Sequence, residues 1–374
     1  MSTTSMLTGN ALTVKLWEMK AWVQASRMSY FGKMVSDGSV YMPSEFKGRD
    51  NKGDTVTFSY VGKMTGVPKG EGGTLDGNEQ AMDLQSHSMV INESRDAVKI
   101  PNSGIEPQRT KVNMEQVVNE LLPLRAMELM DASAFNQLAG VNPTSFTIDG
   151  ATYASTADKL HVQGHNSIVA PTTDRIIRAA GAATDQALTS ADTMTLQLID
   201  YAMEKNDLSN QPIAPANDGY FHLYISPADA VNLKHDAGSS ITWYNNQLAN
   251  IQGGKEDQLS NRLMDRKIFL GTYANVKIWQ APRVAFGANS STSAVITTVR
   301  RNVLVGKDAL SFASPYGGRP SDDDVPLKIV NKLKDYGKYK GIGFELLYGI
   351  KKMSPSNKDD TGVIVIGTYA AAHS

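Results

Sequence analysis

Apolar and polar positions follow two rhythms along this chain, and each predicts its own kind of element. Residues 54–61 read DTVTFSYV, where Val56, Phe58 and Tyr60 alternate with Thr55, Thr57 and Ser59. A period of two predicts a strand. His87, Met89 and Ile91 repeat it in QSHSMVINESRDAVKI, and Val98 and Ile100 continue the line. Between the two runs lies GVPKGEGGTLDGNEQ, with Gly66, Gly70, Gly72, Gly73 and Gly77. Glycine at that density argues for a loose tip, so the whole reads as a long β-hairpin. Strands of about ten residues reach ~33 Å. An isolated two-stranded hairpin is marginal in water, and its apolar faces and edges need cover. Either it folds onto the body or it lies across another copy, and the second is the favoured expectation.

The helical rhythm is clearest at 113–139. Val117, Leu121, Leu124, Met127, Met130, Ala134 and Leu138 form a stripe. Asn113 is the expected N-cap, with Gln116 three residues later, and Gly140 the stop signal. Such a helix spans ~40 Å, and Pro123 predicts a kink within it. Leu12, Leu16, Met19, Trp22 and Val23, joined by Trp17, Tyr30 and Phe31, predict an amphipathic helix within 11–35. It packs either on its own domain or on a neighbouring subunit. A second helix is expected from an N-cap at Ser190 to about Lys205. Residues 144–173 read as loops and short strands. Phe221, Leu223 and Ile225 alternate as a strand, followed by Ser226 as N-cap and Pro227 opening a helix to Asp236. Residues 268–286 predict a strand pair around Gly271 and 293–313 another pair. The tail runs GIGFELLYGIKKM and GVIVIGTYAA predict two further strands. There is no solenoid repeat.

Composition narrows the function classes. With 374 residues, the chain exceeds the size at which single cores stop growing, so two lobes or a domain with excursions is expected. It has no cysteine, which excludes disulfides, thiolate nucleophiles and Cys-ligated metals. The formal charge of −1 argues against wrapping DNA and opposes self-association only weakly. Charged residues interrupt the first 30 positions, so no signal peptide is expected. No apolar run reaches the ~18 residues of a membrane span.

A search for catalytic chemistry comes back empty. GVPKGEGG lacks the Gly-Lys-Ser/Thr ending of a phosphate loop, and Gly341 and Gly343 lead into a strand pattern rather than a helix. His161 and His165 have the spacing of helical zinc ligands, but Gly164 intervenes, so they read as ordinary surface histidines. Asp322, Asp323 and Asp324 could hold a hard cation, yet read better as a solvated loop. Lys328, Lys332, Lys334, Lys338 and Lys340 stand against Asp335. They read as a solvated face, with nucleic acid or an acidic neighbour as the alternative. No catalytic, cofactor or metal residue is assigned, and no enzymatic activity is expected. Excursions without a site point to an assembly protein.

Four segments carry a resemblance: ALTVKLWEMKAWVQASRMSYFGKM, GDTVTFSYVGKMTG with GTLDGNEQAM, YISPADAVNLKHD, and DYGKYKGIGFELLYGIKKM. Their order resembles tailed-bacteriophage major capsid proteins of the HK97-like fold, and more narrowly the phage N4-like family. The resemblance implies an α+β fold with an N-terminal arm at 1–49, an extended E-loop hairpin at 50–102 and a P-domain with its spine helix at 103–174. An A-domain would follow at 175–325, with C-terminal strands at 326–374 returning to the P-domain. It implies hexamers and pentamers closing into an icosahedral shell around double-stranded DNA, which is contacted weakly and non-specifically. Portal, scaffolding and decoration proteins are implied partners, with no membrane involved. The location would be the virion after assembly in the host cytoplasm, and any scaffold would be a separate protein. An encapsulin-like nanocompartment shell is the alternative. The expected assembly-interface residues are Trp17, Trp22, Tyr30, Phe31, Met64, Gly72, Leu75 and Glu79.

Overall fold

The computed structural model describes residues 29–42, 54–61, 64, 66–79, 82, 84–109, 113–235, 269–315, 327–354 and 360–372. The helices are α1 (Tyr30–Ser36), α2 (Ile105–Arg109), α3 (Met114–Ala139), α4 (Thr156–His161), α5 (Leu196–Leu208) and α6 (Pro227–His235). Two main sheets and two hairpins complete the described residues.

The first sheet is built around β15 (Tyr339–Lys352). It pairs with β14 (Leu327–Lys334), with β4 (Asn92–Pro101) and with β13 (Leu310–Ala313), and β13 pairs with β1 (Val40–Tyr41). On β15, Ile342, Phe344, Leu346, Tyr348 and Ile350 alternate and are buried. They share one core with Ala126, Met127, Met130, Ala134, Phe135 and Leu138 of α3. The long helix therefore lies across its sheet with its apolar stripe inward.

The ends of α3 follow its sequence. The Asn113 side chain accepts from the Gln116 N–H at 3.3 Å, and Gly140 closes the helix at φ 61°. At Gly140 a Cβ would sit 2.6 Å from Pro171 Cδ, so both the left-handed backbone and the close approach require glycine. Pro123 lies inside the helix, and the helical assignment is continuous across it.

The second sheet runs β7 (Ile176–Arg178), β16 (Val363–Tyr369), β12 (Val295–Val305), β8 (Phe221–Ile225), β10 (Val276–Gln280) and β9 (Phe269–Tyr273). Strand β11 (Phe286–Ala288) is added to β12. The sheet is buried on both faces. Val303, Val305 and Tyr224 join the core of α3, while Leu304, Leu223, Ile225, Ile364 and Ile366 join a second core with Leu198, Ile199 and Ala202 of α5. Strands covered on both sides read as apolar runs rather than as alternation.

Several expectations are corrected by this arrangement. Strand β8 covers the expected Phe221–Ile225, and every residue of it is buried. Strands β12 and β13 belong to different sheets, and β16 joins β12 and β7 rather than the sheet of β15. The β9–β10 turn is at Ala274 and Asn275, both left-handed at φ 44° and 64°, the backbone of a two-residue hairpin turn. Gly271 is paired with Ile278 inside the strands. Helix α5 begins after Thr195, which caps the Leu198 N–H, because Asp192 closes a separate turn by accepting from the Thr189 N–H at 2.7 Å. Helix α4 lies in the stretch expected to hold only loops and strands.

Arg301 ties the two halves together. Its Nε donates to Asp185 Oδ2 at 2.7 Å and its Nη1 to the Ala139 carbonyl at the end of α3 at 3.1 Å. Burial works against charge on Asp185, but Arg301 and Arg178 outweigh it and hold the carboxyl below its ordinary range.

Candidate assembly interface

Strand β2 (Thr55–Val61) pairs antiparallel with β3 (Leu84–Val90). Its foot is anchored. Val56, Met89, Ile91 and Ala313 form a small core with Phe58 against it. The Phe58 ring lies 5.1 Å from both Tyr41 and His87. Ser311 Oγ donates to the Lys351 carbonyl and is 3.0 Å from His87 Nε2, which therefore donates to it. Burial, reinforced by the positive charge of Lys351, pulls the His87 pKa down to about 4. After Ile91 the chain enters β4, which runs beside β15 from Asn92 to Pro101. The free arm is thus shorter than the expected hairpin.

The tip is a different environment. Val67, Leu75, Met64 and Met82 are 84%, 69%, 67% and 64% exposed. Gly72 adopts φ 91°, with open space where a side chain would project. Glu79 accepts from the Gly77 N–H at 2.8 Å, and Asn78 Nδ2 donates to the Thr74 carbonyl at 3.1 Å. These bonds tie the tip to itself. Large apolar side chains left exposed in this way are what an interaction surface presents. Glu71, Asp76 and Glu79 against Lys69 also make the described tip acidic.

A basic counterpart lies on the outer end of the first sheet. Register places Lys99, Gly341 and Lys332 in one cross-strand row and Lys334 beside Tyr339. Strand alternation puts Lys328, Lys332 and Lys334 on one face. All four lysines are exposed, and Lys99 Nζ sits 3.9 Å over the Tyr339 ring. Gly341 leaves a low floor between Lys99 and Lys332.

The N-terminal candidates divide. Trp17 and Trp22 lie outside the described residues. Phe31 is only 3% exposed, with its ring 5.1 Å from Phe312. Tyr30 packs edge-on against Phe135 and Tyr224 and donates its hydroxyl to the Gln280 carbonyl at 2.7 Å. Both backbone N–H groups donate to Asp131, from Phe31 at 2.8 Å and from Tyr30 at 3.3 Å. The start of α1 is held within its own protomer by a carboxylate on α3, and a role for Tyr30 and Phe31 in assembly stays a proposal. Burial is the main reason that the Asp131 pKa rises to about 7.

The histidines are also corrected. His165 is buried and His161 half-buried, rather than on the surface. His161 Nδ1 and His165 Nε2 meet the Ser94 hydroxyl at 2.8 and 3.0 Å. His165 is left-handed at φ 61°, which turns its ring under β4. Burial, then the nearby His161, lowers its pKa to about 4. Asp322, Asp323 and Asp324 fall outside the described residues.

One cluster has no forerunner in the sequence pattern. Asp37, Asp218 and His222 present ligand atoms within 4.8 Å of one another. Lys277 Nζ is 2.7 Å from Asp218 and Lys33 Nζ 3.2 Å from Asp37, while His222 Nδ1 accepts the Trp279 indole N–H at 3.1 Å. Cations already face both carboxylates, so the group is an ion-pair network joining α1 to β8 and β10. No spacing motif reveals His222, because Asp37 and Trp279 reach it from distant parts of the chain. Among the described residues no helix is long and apolar enough to cross a membrane.

A family model described as phage capsid protein matches residues 4–372. The major capsid protein of Pseudomonas phage KPP25 is 23% identical over 389 residues, covering 98% of this chain and 96% of that protein. The capsid of Ralstonia phage GP4 superposes with a TM-score of 0.67 at 19% identity, covering 92% of each chain. The capsid asymmetric unit of cyanophage Pam1 gives 0.62 at 18% identity, covering 89% of each.

Proposed function

The chain belongs to the phage capsid protein family and has the HK97-like fold, and from that premise we propose how its copies join. It is a structural capsid protein of a phage virion. The proposal is that copies form hexamers and pentamers of an icosahedral head around double-stranded DNA, with the β2–β3 tip of each copy laid on its neighbour. The carrying observation is the tip itself: Met64, Val67, Leu75 and Met82 are exposed in a protomer that buries comparable side chains elsewhere. The acidic tip and the lysine face of β4 and β14 offer complementary charge for the same contact. The divisions at 1–49, 50–102, 103–174, 175–325 and 326–374 are proposed as arm, E-loop, P-domain, A-domain and tail, with β16 spent on the second sheet.

Assembly in the host cytoplasm, portal, scaffolding and decoration partners, weak DNA contact and the lack of enzymatic activity belong to the same proposal. The N4-like placement rests on the four resembling sequence segments. The relatives are phage capsid proteins, which lends the nanocompartment alternative no support. The test is electron microscopy of a variant with Met64, Leu75 and Glu79 changed to serine. Folded subunits without particles are expected. Normal particles would contradict the proposed role of the tip.

A further inference from the structure

A cavity of about 490 Å³ opens between the end of α3, strand β5 (Phe146–Ile148) and the β10–β11–β12 segment. That volume lies within the roughly 300–1,000 Å³ of small-molecule sites. Phe146, Ile148, Val284 and Phe286 give it an apolar wall, and Arg283, Arg300 and Asp149 line it as well, with the Asp149 charge paired to Arg283. It owes its shape to a break in pairing. Phe286 pairs with Arg300, but the next residue, Gly287, pairs with Ile296. The extra residues of β12 bulge, and bulges re-aim side chains.

Arg300 is the unusual member. Its guanidinium lies 3.5 Å over the Phe286 ring, and its Nη1 donates to the Val284 carbonyl at 2.8 Å. Its Nε is buried without a hydrogen-bond partner, and so is Nε of Arg283. Arg283 reaches Glu128 and Asp149 at 2.9 and 3.1 Å. Among the described residues no carboxylate forms an ion pair with Arg300. Burial lowers the Arg300 pKa to about 10, with the negative charge of Asp229 opposing it without a direct ion pair. A half-buried cation without a counter-charge is costly, and a planar fork beside an apolar wall suits a carboxylate on an apolar body.

We propose that this cavity is a binding site for a single carboxylate carried on an apolar stem, with Arg300 as its counter-charge. The carboxylate can belong to a free small molecule or to an acidic side chain of a second copy. Isothermal titration of the full-length unassembled subunit uses phenylacetate, with phenylacetamide as the neutral match. Phenylacetate is expected to bind at least about tenfold more tightly, as hydrogen bonds to charged groups allow. Arg300→Met keeps an unbranched apolar side chain but removes the guanidinium stacked on Phe286 and bonded to the Val284 carbonyl, and it should remove that preference. Binding that persists in assembled particles assigns the site to a free ligand. Binding lost on assembly but present in subunits assigns it to a neighbour's side chain. Equal affinity for the two probes, no binding of either by subunits, or an unchanged preference in Arg300→Met would overturn the proposal. The probe comparison on the unaltered protein stands even if the variant does not fold.

Discussion

Helix α3 and the β2–β3 tip are both rich in large apolar residues, yet they dispose of them in opposite ways. Met127, Met130, Phe135 and Leu138 on α3 are sealed against β15, β8 and α1. Met64, Val67, Leu75 and Met82 on the tip remain in water. Burying such a side chain is worth about 1.5–3 kcal/mol, so the protomer gains this on α3 and forgoes it on the tip. The difference separates residues that hold the fold from residues that, in the proposed assembly, a second copy covers.

The comparison breaks first if α3 is dispensable. Phe135→Ala should cost the isolated subunit about 3–5 kcal/mol, read by denaturant unfolding, and particle yield should fall with it. A small loss there would mean that α3 does not carry the protomer.

The anchored foot of the tip can be tested by pH. His87 and His165 both titrate near 4 in the folded subunit, against 6.5 in the unfolded chain. Their stabilisation is present above pH 6.5 and is lost as pH falls through about 4, on the order of 3 kcal/mol each. Asp131 has the opposite sign. Its pKa rises from 3.8 to about 7, so its contribution is present below pH 3.8 and is lost as pH rises through about 7. The two effects oppose each other between about pH 4 and 7, and the two histidines outweigh the single Asp131, so melting temperature should fall as pH drops from about 7 towards 4, by less than the histidines alone would give. Replacing His165 with asparagine should flatten the acid side.

At the tip itself, Leu75→Ser should change subunit stability by less than about 0.5 kcal/mol while reducing particle yield. The smallest effect is expected at the lysine face. Lys332→Glu should leave unfolding unchanged and weaken assembly more at low than at high salt, since exposed charges are screened.

Legibility in the sequence follows the same division. Helix α3 is legible because its stripe is long and both caps are local, at Asn113 and Gly140. Strand β2 is legible from its period of two. The sheet that receives β16 is not, because an apolar run shows that both faces are covered but not which strands lie beside it. Ser190 competes with Thr195 as a cap, and only the turn closed by Asp192 decides between them. The anchoring of Tyr30 and Phe31 is not legible, because Asp131, which holds their backbone, lies about a hundred residues on. Apolarity in sequence shows that cover is needed, and only packing shows whether one chain supplies it. The Arg300 cavity leaves no motif, since it arises from a pairing break between separate strands.

The most direct test is methionine oxidation by hydrogen peroxide, read by mass spectrometry, in unassembled subunits and in assembled particles. Met34, Met89 and Met130 are fully buried in the protomer, while Met64 and Met82 are exposed. Oxidation follows exposure. Met64 and Met82 should oxidise quickly in subunits and become protected in particles, with Met34, Met89 and Met130 protected in both. Equal oxidation of Met64 and Met82 in the two states would contradict the claim that the tip is covered by a neighbouring copy.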